Sequence, residues 1–207
     1  MERVLDVYKR PYDPQYPVVC MDESPKQLIA ETRKPIPASP GQPARYDYEY
    51  RRCGMCNVFL ACEPLTGIRM VKITERRTRQ DWALFLQDIA GKYPEAEKIV
   101  LVMDNLNTHA PDSLYETYAP GMAKALWDRF EFLYTPKHGS WLNMAEIELS
   151  VLTRQCLSRR IDDIEEVRAE VKAWENARNN KNAKVNWQFT TEDARIKLVR
   201  LYPTLEG

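Results

Sequence analysis

A chain of 207 residues that is 44% hydrophobic and 29% charged can bury one full-sized core without disulfides or a structural metal. Its 30 basic residues balance its 30 acidic ones, which excludes a strongly basic, self-sufficient DNA-binding module and leaves any nucleic-acid contact to local patches. No apolar run approaches the roughly 18–20 residues that cross a bilayer, no signal peptide is evident, and the five irregularly spaced cysteines are expected to be reduced thiols of a cytosolic protein.

Residues 1–16 are rich in proline and tyrosine and read as a lead-in segment. Pro17-Val-Val-Cys-Met-Asp22 reads as a short buried strand ending in acid, with the proline at its first position. Residues 33–45 carry Pro35, Pro37, Pro40, Pro43 and Gly41, an extended loop too long for a simple turn. The stretch Arg45-Tyr-Asp-Tyr-Glu-Tyr-Arg-Arg52 then puts Tyr46, Tyr48 and Tyr50 on one face of an extended segment. Cys53-Gly-Met-Cys56 is half of a zinc site, but no second CxxC follows. Cys62, His109 and His138 would complete it only by coincidence of the fold, so structural zinc is not expected.

Runs 55–63 and 67–74 predict a hairpin, joined through Pro64 and Gly67. Residues 79–92 predict a helix, with Trp82, Phe85, Leu86 and Ile89 on its apolar face. Lys98-Ile-Val-Leu-Val-Met-Asp104 predicts a strand buried on both faces. Short helices are expected at 111–118 and 121–128, and a strand at 130–134. Helical spacing returns over 141–158 (Leu142, Ala145, Leu149, Leu152, Cys156) and over 162–180 (Ile164, Val167, Val171, Trp174). A last helix over 191–201 opens on the capping run Thr190-Thr-Glu-Asp193. This order predicts an α/β fold with a mixed sheet.

Two of the predicted strands, Val-Val-Cys-Met-Asp22 and Val-Leu-Val-Met-Asp104, end alike. In an open α/β sheet the carboxyl ends of strands are where ligands collect. Two bare carboxylates brought together repel, and a divalent cation removes that penalty; hard oxygen donors select Mg²⁺ or Mn²⁺. A third carboxylate is offered by the helix that begins near Leu142, at Glu146 or Glu148. These lie roughly 200° apart around a helix, so both cannot face one site, and periodicity does not choose between them. Asn143, one turn before Glu146, leans the choice toward Glu146. Basic patches stand at Arg45, Arg51 and Arg52, at Arg76, Arg77 and Arg79, and at Arg154, Arg159 and Arg160.

Taken together, Val-Val-Cys-Met-Asp22-Glu, Val-Met-Asp104-Asn-Leu-Asn-Thr-His109 and Leu142-Asn-Met-Ala-Glu146 resemble the DDE transposases of the Tc/mariner superfamily, in their bacterial insertion-sequence branch. The tail Val185-Asn-Trp-Gln-Phe-Thr-Thr-Glu-Asp-Ala-Arg-Ile-Lys-Leu198 is similar to the same branch. The resemblance implies a ribonuclease H-like mixed sheet flanked by helices over residues 17–207, with Asp22, Asp104 and Glu146 as catalytic metal ligands. Its Asn-x-x-Glu frame selects Glu146 over Glu148; Met144 stands where that branch often has proline. It implies two Mg²⁺ or Mn²⁺ ions and cleavage and joining of DNA, with transposon ends and target DNA as partners. It also implies a homodimer and a clamp-like insertion over 31–52 between the first two strands. Asn105, His109 and Asn143 are implied as supporting or DNA-contacting residues, with Arg45, Arg51 and Arg52 on the clamp side. Helix-turn-helix domains that read transposon ends are not found within these residues, and a bacterial cytoplasmic, nucleoid-associated location is expected. Two alternatives remain at this point: a catalytically idle transposase fragment that acts as a partner or regulator, and a ribonuclease H-type nuclease that shares the site.

Overall fold

The computed structural model describes residues 1–137 and 139–202; His138 lies outside them. Among the described residues, five strands form one sheet in the order β3-β2-β1-β4-β5. They are β1 (Val18–Glu31), β2 (Tyr50–Glu63), β3 (Ile68–Thr74), β4 (Ile99–Met103) and β5 (Phe130–Tyr134). β1 runs antiparallel to β2 and parallel to β4, β2 runs antiparallel to β3, and β4 runs parallel to β5, so the sheet is mixed as its sequence predicted.

The helices divide between the two faces. α2 (Arg79–Lys92), α3 (Pro111–Thr117) and α4 (Pro120–Asp128) cover one face, over Val19, Met21, Phe59, Leu101 and Met103. α1 (Glu2–Tyr8), α5 (Met144–Leu152), α6 (Ile164–Asn180) and α7 (Thr191–Lys197) cover the other, over Cys20, Leu60, Val100 and Val102. β4 is buried at all five positions because both faces are roofed, which is why its sequence is continuously apolar. Trp82, Phe85, Leu86 and Ile89 of α2 are all buried. Its capping box pairs Thr78 with Asp81, and a second one opens α7, between Thr190 and Asp193.

Three features depart from the linear pattern. The opening residues include a helix, α1, whose Val4, Leu5 and Val7 enter the core. The strand expected to end at Asp22 continues to Glu31. Beyond Cys20 it has no β4 partner and pairs with β2 alone, so Ser24, Pro25, Lys26 and Gln27 need no apolar pattern there. The proline-rich loop is a ribbon-like arm rather than an open excursion: bridges join Ile36 to Arg45 and Ser39 to Gln42, and Gly41 takes the left-handed turn position at φ 80°.

The connection after α5 braces that arm. Lys26 Nζ donates to the Leu157 carbonyl at 2.7 Å, and the Ile29 N–H donates to the Ile161 carbonyl at 2.8 Å. Arg160 pairs with Glu31 at 2.6 Å and donates to the carbonyls of Asp47 and Glu49 at 2.8 and 3.0 Å. The arm therefore stands on a fixed base, and Ile36, Tyr46 and Tyr48 along it remain exposed.

Candidate active site

Asp22 sits in the middle of β1, and Asp104 follows the last residue of the neighbouring parallel strand β4. Side chains alternate across a strand, so Asp22 shares the α5 face with Cys20, while Met21 and Glu23 face α2. On the α5 face the buried Asn143 fixes the approach. Its side-chain oxygen accepts from the Ala145 N–H at 3.1 Å and caps α5. Its amide donates to the Met21 carbonyl at 2.7 Å and lies 3.4 Å from Asp22 Oδ2. One residue thus starts the helix and ties its first turn, which carries Glu146, to the Asp22 strand.

The electrostatics record the convergence. The Asp22 carboxyl is pushed up to about 7, first by burial and then by the negative charges of Glu23, Asp104 and Glu146, against a hydrogen bond from the Glu23 N–H. Burial is the larger cause and the neighbouring acids add to it; a divalent cation held by oxygen ligands would relieve both.

Glu148 belongs to a different structure. It is fully buried and takes paired hydrogen bonds from Arg69 at 2.8 and 2.7 Å and from Arg178 at 3.1 Å. Burial alone would raise its carboxyl, but the two guanidinium groups prevail and hold it below the ordinary carboxylate range. Its charge is spent joining α5 to β3 and α6.

His109 is also buried, at 2% exposure, and does not face the open groove. Its Nδ1 lies 2.9 Å from Asp104 Oδ1 and 3.1 Å from the Asp104 carbonyl oxygen. Its Nε2 lies 3.5 Å from Glu23 Oε2, and its ring stacks on Trp82 at 5.4 Å between centroids. Burial works against a charged imidazole, but Asp104 and Glu23 outweigh it and raise His109 to about 9. Among the described residues, the acids and histidines closest to one another are Glu23, Asp104 and His109, with no cysteine among them. The expected set Asp22, Asp104 and Glu146 is not brought this close together among the described residues, and Asp104 alone belongs to both groups.

Beside Asp104 an open groove of about 550 Å³ is lined by Asn105, Thr135, Pro136, Lys137 and Ser140. Asn105 therefore lines the groove, and Asn143 is joined to its edge by donating its N–H to the Ser140 carbonyl at 2.7 Å. Arg51 and Arg52 are exposed at the start of β2, and Arg45 lies on the arm. The other basic patches are largely tied up: Arg77 faces Glu23 at 3.6 Å, Arg79 pairs with Glu116, and Arg159 pairs with Glu166 and Glu170 at 2.9 Å.

Sequence reasoning missed Glu23, Lys137 and the Arg69–Glu148 pair. An arginine inside the apolar run Ile68-Arg-Met-Val-Lys-Ile73 was a usable signal, because a buried guanidinium requires an acid. Glu23 had one too: in a strand that continues past Asp22, the next acid must point into the opposite layer.

The sequence profile of the DDE superfamily endonucleases matches residues 17–168. The crystal structure of a Mos1 mariner paired-end complex with Mn is similar, with TM-score 0.58 and 19% identity over 88% of this chain and 56% of that one. A Mos1 strand transfer complex gives TM-score 0.59 at 18% identity, over 88% and 53% of the two chains. A pre-cleavage Mos1 transpososome gives 0.52 at 18%, over 88% and 59%. At such identities the likeness is one of fold, the ribonuclease H-like fold. The chain spans between 53% and 59% of the length of these Mos1 chains. No curated protein sequence matches it.

Proposed function

We propose that this chain, which belongs to the DDE superfamily endonucleases, is the catalytic domain of a Tc/mariner-type transposase that cuts and joins DNA strands. The observation that carries the reading is the group of acids around Asp22. Burial first, and then the charges of Glu23, Asp104 and Glu146, raise Asp22 to about 7, while the neighbouring Glu148 is neutralised by arginines. Among the described residues no cation pairs with Asp22 or Glu146, and Asp104 has His109 beside it at 2.9 Å.

Asp22, Asp104 and Glu146 would hold two divalent ions, Mg²⁺ or Mn²⁺. Bound there, the ions would activate the attacking oxygen and stabilise the leaving one. The chain's own residues do the rest. Asn143 holds Asp22 and the first turn of α5 in one frame. Asn105 and Lys137 line the groove beside Asp104, where the lysine provides a cation for a DNA phosphate. In cleavage, a P–O bond forms from water as the P–O bond to the departing DNA oxygen breaks. In joining, a DNA 3′-hydroxyl takes the place of water, so no covalent enzyme intermediate is required.

The arm over 31–52 is the clamp in this reading, contacting DNA and the second subunit of a homodimer through Tyr46, Tyr48, Arg45, Arg51 and Arg52. Its exposed aromatic residues and fixed base support that role. The motif spelling supports the bacterial insertion-sequence branch and, with it, a location on DNA in the bacterial cytoplasm. Mn²⁺-dependent nicking of duplex DNA tests the assignment. The wild type is expected to nick, and Asp104→Asn to lose activity with its fold intact. Undiminished nicking by Asp104→Asn overturns the reading. A wild type that never nicks but inhibits a full-length transposase favours the interaction-partner alternative.

A further inference from the structure

Glu23 is costly where it stands. Its side chain is 1% exposed, and neither carboxylate oxygen accepts a hydrogen bond among the described residues. The cationic groups beside it are His109 Nε2 at 3.5 Å and the Arg77 guanidinium at 3.6 Å. A buried acid with so little direct compensation destabilises a fold unless something is gained by it. The imidazole between Glu23 and Asp104 indicates the gain.

His109 Nδ1 donates to the Asp104 carbonyl oxygen at 3.1 Å and lies 2.9 Å from Asp104 Oδ1, a charge contact without hydrogen-bond geometry. Asp104 Oδ1 is buried, while the side chain as a whole is 33% exposed, so the exposed part includes the other oxygen. The His109 ring is itself pinned. Trp82 stacks on it, and the Tyr134 hydroxyl donates to the His109 carbonyl at 3.1 Å. Glu23 Oε2 faces the far nitrogen at 3.5 Å, so the ring lies between two acids. β1 thus places Asp22 on one face of the sheet and, one residue later, an acid on the other face that reaches Asp104 through the ring.

Resting on the assignment of Asp104 as a metal ligand, we propose that Glu23 and His109 are a buried positioning pair. They set the orientation of the Asp104 carboxylate so that one fixed oxygen is offered to the metal. Neither side chain touches DNA or the ion. Outer partners of this kind typically change metal affinity or activity about 10- to 100-fold when removed.

The test is a calorimetric titration of Mn²⁺ into the wild-type chain, Glu23→Gln, Glu23→Ala and His109→Ala. It is paired with the Mn²⁺ dependence of duplex nicking and with DNA affinity measured without metal. All are run at a temperature where circular dichroism shows each variant folded. Glu23→Ala and His109→Ala are expected to weaken Mn²⁺ binding about 10- to 100-fold and to shift the half-saturating Mn²⁺ for nicking by the same factor. Metal-free DNA affinity stays unchanged. Glu23→Gln, which keeps a polar oxygen facing the ring but not the charge, falls between them and the wild type. A merely structural role would lower Tm and leave the metal midpoint where it was, which overturns the proposal. Loss of one bound ion per chain at unaltered affinity overturns it as well, because Glu23 and His109 would then be ligands themselves. Should the wild type bind no Mn²⁺, the metal-site assignment itself fails, an outcome separate from any difference among the variants.

Discussion

Glu146 and Glu148 stand two residues apart on α5, and helix periodicity alone does not choose between them. The difference lies in Arg69, which is 1% exposed and pairs with Glu148 through two hydrogen bonds, with Arg178 adding two more. Removing one partner from such a buried pair strands the other charge and costs about 3–5 kcal/mol. Glu148→Gln is therefore expected to lower stability by that order in denaturant titrations at neutral pH. The pH dependence has a definite sign. The folded carboxyl lies below its unfolded value, so its stabilisation is full above the ordinary carboxylate range and is lost as pH falls through the folded value. The wild type should lose stability on acidification below about pH 4, the ordinary carboxylate range. In Glu148→Gln that part of the acid slope should be absent; an unchanged slope would show that the ion pair is not its source.

At the level of elements, β4, α2 and the β2–β3 hairpin were legible because their burial follows a simple period or a continuous apolar run. The full length of β1 was not. Past Cys20 it loses β4, and past Pro25, where β2 also leaves β3, only a two-stranded ribbon remains, which carries no layered apolar code. The same blindness hid Glu23, since an expected strand end at Asp22 left no reason to ask which face came next. The two aspartates could be read from their strands, but the third acid could not be read from helix geometry, because what separates the glutamates is a partner on β3. α5 depends on Asn143 for its start, its tie to Met21 and its nearness to Asp22. Asn143→Ala removes a cap worth about 1 kcal/mol and leaves the Met21 carbonyl without that donor, at about 1–3 kcal/mol more. Thermal unfolding should show a loss of that size, together with slower nicking at fixed Mn²⁺. Nicking at the wild-type rate would mean that Asn143 serves the fold alone.

Across the whole molecule, a net charge of zero fits a chain whose cations are mostly engaged within the structure. Arg69 and Arg178 bind Glu148, Arg160 braces the arm, and Arg159 is paired along α6. What remains open toward a polyanion is local: the groove beside Asp104 with Lys137, and the arm with its exposed tyrosines. The sheet divides the labour. The acids proposed for metal binding gather at the head of β1 and β4 and the start of α5, the Glu23–His109 support lies beneath Asp104 in the α2 layer, and the Arg69–Glu148–Arg178 cluster ties α5 to β3 and α6. The central claim is that Asp22, Asp104 and Glu146, and not Glu148, form the DNA-cutting centre. It is tested most directly by Mn²⁺-dependent nicking of supercoiled DNA with Glu146→Gln beside Glu148→Gln, both assayed below their unfolding temperatures. Glu146→Gln is expected to keep the wild-type Tm and lose nicking, while Glu148→Gln is expected to have a lower Tm and still nick. Nicking by Glu146→Gln at the wild-type rate would contradict the claim.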